Sequence, residues 1–442
     1  MHAAVRGCCA LSLVARLLAA PAVVAGPLPE PLTLDVALEA AADHPAVALG
    51  QAGLVQLQAD ADAVRARDDV DIGATLEARV IEPSPNALDQ GHNDSRATLY
   101  ARKRLYDFGH TAALEAAAAT SVQGGEIRAR IEATRHRLAV IQAFFAVLLA
   151  DLEYARDNEA MAVAYVRADR SRDRAELGQL SDVELLQRES GYQQLRMQRV
   201  RSQARQRSSR AQLAQLLNRP EQLSANLVRP DLASNNEPVP EYEQLLAAAL
   251  DQNPGLLALR ADLAAAQQTL DAARTGRRPV LTGSLEAAAN ERDISSRNPF
   301  EAGLQLQIPL YDGRRTDADV ARAQAEVYRL QEQLRAHELE LRQLLLELVL
   351  DIQTLQSQRE QVRIFRQSRQ LNFDRAQAEY ELELKTDFGD ALIGQSESAL
   401  LEAQTEFALA QNRARLGALT GLTVSPFMAG TGPALTGDTR SD

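Results

Sequence analysis

Tryptophan is absent from the 442-residue sequence, and aromatic residues together make up only 4% of it. The two cysteines, Cys8 and Cys9, both lie at the N-terminus. If this segment is removed from the mature protein, no disulfide, thiolate nucleophile or cysteine-ligated metal site can form. Basic residues are outnumbered as well, and a formal net charge of −12 argues against general binding to nucleic acid.

Long apolar runs are also missing, since no stretch of 18 or more apolar residues follows Ala25. A membrane-spanning helix needs about 20 such residues, so a mature protein that lies in a membrane must span it as a barrel. Residues 1–25 have the pattern of a signal peptide, because Arg6 precedes an apolar region and small residues precede Gly26. A plain N-terminal membrane anchor is the alternative, although the apolar region is short for a span.

Alanine, leucine, glutamine, glutamate and arginine dominate instead, a composition that favours long helices and coiled coils. The motif Leu-Tyr-Asp occurs twice, at 105–107 and at 310–312, and the two copies are 205 residues apart. The same offset relates a second set of residues: Leu177, Ser181 and Asp182 correspond to Leu382, Thr386 and Asp387. We therefore interpret the chain as one unit present twice.

The duplication predicts the domain organisation. The signal peptide (1–25) precedes a first repeat (26–218), a proline-rich linker (219–241), a second repeat (242–422) and a disordered tail (423–442). In each repeat a broken helix is followed by two strands and a long helical hairpin. The strands are predicted at about 71–80, 96–106, 280–289 and 302–310, and the hairpins at 111–218 and 316–421.

Two hydrophobic periods support these elements. Apolar residues alternate with polar ones in the strand segments, most clearly from Ala302 to Ile308, as expected for strands with one apolar face. In the second long helix, apolar residues recur every seven positions: Val320, Val327, Leu334, Leu341, Leu348, Leu355 and Val362. Leu330, Leu344 and Phe365 fall on a companion position. This spacing predicts a left-handed coiled coil.

Four strands of about ten residues each match the thickness of a tilted membrane barrel but cannot close one. Unpaired strand edges in lipid are prohibitively costly. Several copies of the chain must therefore pool their strands, and three copies would supply twelve. Neither composition nor periodicity determines that number.

The duplicated order of broken helix, strand pair, Leu-Tyr-Asp motif, long helix, tip turn and return helix resembles the TolC-like outer-membrane efflux protein family, from Leu32 to about Leu422. The resemblance implies a mainly α protein with a small membrane β part. It further implies a homotrimer, in which a twelve-stranded outer-membrane β-barrel is continued by an α-helical tunnel in the periplasm.

The function implied by the resemblance is that of a passive exit duct in a tripartite efflux pump or a type I secretion system. Its partners would be a periplasmic adaptor (membrane fusion) protein, an inner-membrane RND or ABC transporter, and the lipid of the outer membrane. No cofactor and no enzyme activity are expected, because no nucleophile motif, phosphate-binding loop or catalytic carboxylate pair occurs. The alternative is a non-channel periplasmic coiled-coil adaptor or scaffold.

The resemblance also implies functional residues at the tips of the hairpins. The adaptor-facing tips would comprise Leu177, Gly178, Leu180, Ser181, Asp182, Leu384, Lys385, Thr386 and Asp387. A periplasmic gate would be formed by Asp387, Asp390 and Glu184, because symmetry copies of a carboxylate around an axis attract cations. Family members often have glycine first in the tip turn; Gly178 matches, whereas Glu383 departs from the pattern.

The strand-to-helix junctions are predicted at Tyr106, Asp107, Gly109, Tyr311, Asp312 and Gly313. There the glycines would let the backbone turn. Tyr106 and Tyr311 are interpreted as interfacial aromatics, with strand-end packing as the alternative.

Several other features have plainer interpretations. Asp182 and Asp387 also suit helix N-caps or first-turn acids. The histidines lack ligand spacing. Gly124-Gly125 suits a close-packing site or a bend, and the basic stretch 199–210 suits a solvated helix face.

Overall fold

A computed structural model describes residues 28–87, 89–222, 224–292, 298–384 and 388–421. The predicted signal peptide, the predicted tail and the tip residues Lys385, Thr386 and Asp387 lie outside these ranges. The described chain is mostly helical and contains one small antiparallel sheet.

Eight α-helices and four β-strands lie within the described ranges. In chain order they are α1 (Leu34–Ala40), α2 (Pro45–Arg65), β1 (Asp71–Glu77), β2 (Arg96–Tyr106), α3 (His110–Glu176), α4 (Asp182–Leu216), α5 (Tyr242–Gln252), α6 (Pro254–Arg274), β3 (Val280–Asn290), β4 (Phe300–Gln307), α7 (Arg315–Glu381) and α8 (Gly389–Thr420). Helices α3 and α7 each have 67 residues, a length of about 100 Å at 1.5 Å per residue.

Local sequence accounts for where these elements begin and end. The predicted N-cap Thr33 accepts a hydrogen bond from the backbone N–H of Val36, and α2 and α6 both begin with proline, which suits a first helical turn. Strand β2 has its predicted bounds. Strand β4 ends at Gln307, three residues before the predicted end, because Pro309 has no N–H to donate.

The four strands form one sheet in the order β1-β2-β3-β4, and every neighbouring pair is antiparallel. Helices α3 to α6 connect β2 to β3. Each strand therefore has one end directed towards the long helices. Strands β1 and β4 each have one edge that no described strand covers.

Two hydrophobic clusters hold the helices together. In the first, Phe144 and Phe145 of α3 are fully buried, and the ring of Phe145 stacks on Phe407 of α8 with centroids 4.5 Å apart. In the second, Leu345 of α7 packs with Leu409 of α8. Helix α3 thus contacts both halves of the chain, since it packs against α2, α4, α6 and α8.

Much of α3 is apolar, and by length and composition it could cross a membrane, as many core helices could. Its central residues Val140, Phe144 and Val147 are instead fully buried against other helices. The apolar stretch is therefore the core of the helical part.

The seven-residue series of α7 is partly confirmed as a packing seam. Leu341, Leu348 and Val362 are buried, but Leu344 is 48% exposed, so its placement on the companion seam is wrong. Leu345 takes that place because steps of three and four residues keep a helix face together, and 341, 345 and 348 satisfy them.

The segment predicted as a linker is bound to the helices. Leu227 pairs with Leu32 in a parallel bridge, and the buried side-chain amide of Asn235 donates to the carbonyl of Glu406 over 3.0 Å. Arg413, also buried, donates to the carbonyl of Glu237 over 2.8 Å. This segment, residues 219–241, therefore packs along α8, and we call it the belt.

Two further predictions concern the glycine pair of α3 and the basic stretch of α4, residues 199–210. Gly125 is a close-packing site as predicted, because a Cβ there would lie 2.5 Å from Leu57 of α2. The basic stretch on α4 is not only solvated. Arg205 pairs with Glu153 at 2.6 Å, and Arg210 pairs with Asp151 of α3 at 2.7 Å.

Both strand-to-helix junctions contain two consecutive residues in the left-handed region. These are Phe108 (φ 56°) and Gly109 (φ 89°) in the first junction, and Gly313 (φ 66°) and Arg314 (φ 68°) in the second. Glycine stands second in one junction and first in the other. The prediction that glycine lets the backbone turn thus accounts for one of the two left-handed residues in each junction. The other is a non-glycine residue, whose left-handed conformation is strained.

An aspartate next to each pair of left-handed residues caps the long helix. The Oδ2 atom of Asp107 accepts hydrogen bonds from the N–H (2.8 Å) and hydroxyl (2.5 Å) of Thr111. Asp312 accepts the same two bonds from Thr316. No local pattern singles out these threonines as partners of the aspartates, although the 205-residue offset relates them as well.

The same contacts lower the pKa values of both carboxyl groups. Burial acts to raise the pKa of Asp107, but the hydrogen bonds from Thr111 and Gly109 and the charge of Arg104 hold it below its usual range. Hydrogen bonds from Thr316 lower the pKa of Asp312. A carboxyl group with a lowered folded-state pKa stabilises the fold above its unfolded pKa of about 3.9, and this contribution is lost as the pH falls through the folded value.

We predict that replacing both aspartates, Asp107→Asn and Asp312→Asn, lowers the Tm at pH 7 and flattens its dependence on acid. The wild-type Tm should fall more steeply than that of the double variant below about pH 4, because only the wild type loses two capping carboxylates. Thermal unfolding in detergent between pH 7 and pH 2 measures both curves. Asp60→Asn, at an exposed position of α2, is the control, and parallel curves for wild type and double variant would contradict the prediction.

Candidate functional site

The first tip, residues 177–181, joins α3 to α4 through a turn with a complete set of hydrogen bonds. The N–H of Gly178 donates to Ala175 over 2.9 Å, and the N–H of Gln179 donates to Arg174 over 2.8 Å. These bonds close the end of a helix around a left-handed residue, here Gly178 with φ 68°.

Helix α4 begins with a capping box in which Ser181 and Glu184 exchange hydrogen bonds. Ser181 is therefore the N-cap, and Asp182 is the first helical residue, an acid favoured by the helix dipole. Glu184, which the gate hypothesis includes, uses its carboxylate in this box.

The second tip, residues 382–388, begins with the same turn although glycine is replaced. Glu383 adopts φ 58° at the position equivalent to Gly178. Its N–H donates to Tyr380 over 3.0 Å, and the N–H of Leu384 donates to Glu379 over 2.9 Å. The departure from the family pattern therefore preserves the turn, at a conformational cost of about 1–2 kcal/mol for a non-glycine residue.

Large apolar side chains cover both tips in the described part of the chain. Leu177 is 72% exposed, and Leu382 and Leu384 are 69% and 72% exposed. Leu180 is only half-buried. Exposed leucines concentrated at the end of a long hairpin mark a contact surface, because isolated soluble proteins rarely group them so.

Asp390, the remaining gate candidate, lies in the first turn of α8 and is ion-paired. Its Oδ1 atom is 2.8 Å from the guanidinium of Arg167 on α3, and its side chain is still 79% exposed. The pair joins the two hairpins near their tips. Sequence reasoning missed Arg167, which lies 223 residues away in the chain.

At the opposite end of the molecule, the strand register separates the sheet into an apolar and a polar face. One face presents Ile72, Ala74, Leu76, Ala97, Leu99, Ala101, Leu281, Leu285, Ala287, Phe300, Leu304 and Leu306. The other presents Thr75, Glu77, Arg96, Thr98, Tyr100, Arg102, Ser284, Glu286, Glu301 and Gln305. The sheet thus suits a boundary between hydrocarbon and water.

Charged residues join the two loops at the far end of the sheet. Arg292, which is 6% exposed, lies 3.6 Å from the carboxylate of Asp89 and 3.9 Å from that of Asp94. Asp94 is in turn 2.6 Å from Arg79. Polar loop composition alone did not indicate this contact, because its members are about 200 residues apart.

The structure brings two of the scattered histidines together. The rings of His44 and His136 stack with centroids 4.1 Å apart, and Nε2 of His136 lies 2.9 Å from the carbonyl of Leu216. Burial, and secondarily His44, lowers the pKa of His136. Within the described ranges, no group of three or more histidine, cysteine or acidic residues could hold a metal ion.

We predict opposite effects of two substitutions at the equivalent tip positions. Glu383→Gly should stabilise the protein by about 1 kcal/mol, because glycine adopts a positive φ without strain, and Gly178→Ala should destabilise it by a similar amount. Thermal unfolding midpoints measure both. Gly191→Ala is a control of opposite sign to Gly178→Ala: Gly191 lies inside α4 and a Cβ there meets nothing within 4 Å, so alanine should raise the midpoint. A lower midpoint for Glu383→Gly would contradict backbone strain at Glu383.

Comparisons with known proteins agree with this geometry. Residues 245–422, from α5 to the end of α8, match the family model of the outer membrane efflux protein. Protein CyaE of Bordetella pertussis is 27% identical over 325 residues, which cover 70% of this chain and 68% of that protein.

Two solved structures share the fold over most of the chain. The Campylobacter jejuni CmeC outer membrane channel has a TM-score of 0.71 at 14% identity and covers 88% of this chain and 85% of its own. A membrane protein from Pseudomonas aeruginosa has a TM-score of 0.71 at 18% identity and covers 90% and 95%. The family is one of channels and not of enzymes. Residues 245–422 thus match the family of outer membrane efflux proteins, and the described chain has the fold of TolC-like outer-membrane channels.

Proposed function

We propose that three copies of this chain form the passive exit duct of a tripartite efflux pump or a type I secretion system. The observation that carries this proposal is the two-faced, four-stranded sheet with two open edges, joined directly to two helices of 67 residues. A transporter in the inner membrane, of the RND or ABC type, would supply the energy.

The open edges support assembly through the sheet. In one protomer, β1 and β4 have unpaired edges, which cannot lie in hydrocarbon because each unsatisfied backbone group costs several kcal/mol. Pairing β1 of one protomer with β4 of the next satisfies both edges. Three copies then close twelve strands, with the apolar face towards lipid and the polar face towards a water-filled lumen.

A row of exposed apolar residues on α7 supports the same assembly. Leu339, Leu346, Leu350, Ile364 and Leu371 are between 44% and 68% exposed. At 100° per residue they lie about 80–140° around α7 from the buried Leu345, and so form a separate apolar side of the helix. We call this row the outer α7 seam and propose that it packs against the neighbouring protomer, since a helix apolar on two sides needs two partners.

The exposed leucines of the tips support docking on a periplasmic adaptor. Leu177 in the first tip and Leu382 and Leu384 in the second would insert between adaptor residues. The equal turn geometry of the two tips gives six similar docking points in a trimer. A free-standing periplasmic scaffold, in contrast, has no use for a sheet with one exposed face that is almost entirely apolar.

We further propose an acidic gate near the tips. Asp387 and Asp390, repeated three times around the axis, would concentrate cations at the entrance. The ion pair between Arg167 and Asp390 would neutralise part of this charge and hold the hairpins together.

The assembly is tested by Ile364→Glu in the outer α7 seam. An unpaired carboxylate buried between protomers costs several kcal/mol, so the fraction of trimer should fall at least about tenfold while the protomer stays helical. Heat-modifiable trimers in outer-membrane fractions and conductance in planar bilayers provide the measurements. Ile364→Leu should behave as wild type. Recovery of the wild-type protein as a soluble periplasmic monomer would overturn the duct.

The gate is tested by two variants with opposite effects on block by Mg²⁺. Removing the carboxylates with Asp387→Asn and Asp390→Asn should raise the half-blocking concentration several-fold. Arg167→Gln should lower it, because Asp390 then loses its neutralising partner. Unchanged single-channel conductance and block in both variants would eliminate the gate.

A further inference from the structure

The sheet has one charged residue on its apolar face, and it is a lysine. The chain contains only two lysines, Lys103 and Lys385, among 48 basic residues. Lys103 follows Ala101 on β2 in the alternation that also places Leu99 on this face. Every other strand position on this face is apolar or glycine.

The surroundings of Lys103 form an open groove. Lys103 pairs with Gly283, and Gly283 pairs with Leu304, so the row between the lysine and the leucine has no side chain of its own. The side chain of Leu105 borders this gap, 3.1 Å from where a Cβ of residue 283 would lie. In the next row Ala101 and Ala302 are small. The resulting space of about 590 Å³ is lined by Val70, Ala101, Lys103, Gly283, Leu285 and Leu304. Most of its lining is apolar, and its charged residues are Arg102 and Lys103. The strand register places Arg102 on the polar face of the sheet, so Lys103 is the cation on the apolar side of the groove.

The Lys103 ammonium has no ion-pair partner among the residues that the structure describes. This distinguishes it from Arg104, which is near Asp107, and from Arg96, which pairs with Glu286. An ammonium beside hydrocarbon is costly unless it reaches water or an anion. The apolar stem of a lysine can lie along the groove while the ammonium extends towards the headgroup layer.

The depth of Lys103 fits the headgroup layer on the helical side of the membrane. It lies three residues before the end of β2, which is about 10 Å along a strand and less along the normal when the strand is tilted. Tyr106, 57% exposed, pairs with Leu281 after an irregularity in the register and so lies on the same face. Arg278 is anchored there by donating to the carbonyl of Phe108 over 2.8 Å.

We propose that this groove binds one anionic glycerophospholipid of the periplasmic leaflet per protomer. The phosphate would bind the Lys103 ammonium, and one acyl chain would lie in the groove beside Gly283, against Leu285 and Leu304. Charge complementarity selects an anionic lipid, because a zwitterionic headgroup brings its own ammonium to the phosphate. The site rests on the proposed function, since the apolar face meets lipid only if the sheet forms a barrel.

The site is tested on the full-length trimer by native mass spectrometry with phosphatidylglycerol, phosphatidylethanolamine of the same acyl chains, and inorganic phosphate. Phosphatidylglycerol should bind at least about fivefold more tightly than phosphatidylethanolamine. Lys103→Met should abolish this preference, and Lys103→Arg should retain it. Gly283→Leu, which fills the groove but keeps the lysine, should weaken the binding of phosphatidylglycerol at least about fivefold. Lys385→Met, the same change at the only other lysine, should have no effect.

A second readout uses the scarcity of lysine. Acetylation of Lys103 by an amine-reactive reagent, followed by peptide mass spectrometry, should be several-fold slower in phosphatidylglycerol vesicles than in phosphatidylethanolamine-rich vesicles, with Lys385 unchanged.

The outcomes separate this site from the duct itself. Normal trimers in which Lys103→Met binds phosphatidylglycerol like wild type, or in which both lipids bind equally, would overturn the lipid site and leave the duct intact. If inorganic phosphate bound as tightly as the lipid, the groove would be a general anion site, and the proposal of a lipid site would be wrong. Failure of the wild type to form trimers would overturn both.

Discussion

The backbone hydrogen bonds of the sheet edges are the constraint on which the rest of this structure depends. Strands β1 and β4 each leave one edge open in the single chain, and hydrocarbon cannot satisfy it. A chain with four strands is therefore incomplete in a membrane by itself. The helical part has an exposed apolar row on α7 as well. In the proposed assembly, one neighbouring copy would cover both the strand edges and this helix face.

The junctions between strand and helix solve a second problem, the change from lipid to water within a few residues. Two left-handed residues turn the chain, and an aspartate binds the first free N–H groups of a helix that is about 100 Å long. The two junctions use glycine at different places but keep the aspartate and the threonine at the same places. The two junctions thus share the hydrogen bonds between aspartate and threonine, whereas the position of the glycine differs between them.

The two halves differ at their tips and in the way they contact each other. Glu383 holds a conformation that glycine holds at the first tip, and the remaining hydrogen bonds of the turn are strong enough to impose it. Helix α3 contacts helices of both halves, and the belt of residues 219–241 is fastened to α8 through Asn235 and Glu237. The two repeats therefore have similar elements but pack differently, and α3 is more buried than its equivalent α7.

Sequence by itself determined the order and type of the elements, because periods of two and seven residues and proline or threonine at helix starts act locally. It placed β2 at its observed bounds and the start of α3 within one residue. It could not place Leu344, since a heptad template does not distinguish it from Leu345, nor anticipate that Glu383 keeps the turn. Contacts such as Arg167 with Asp390, His44 with His136 and Arg292 with Asp89 were decided only by tertiary structure. Their partners are distant in the chain, and no local period relates residues that meet only when the helices pack.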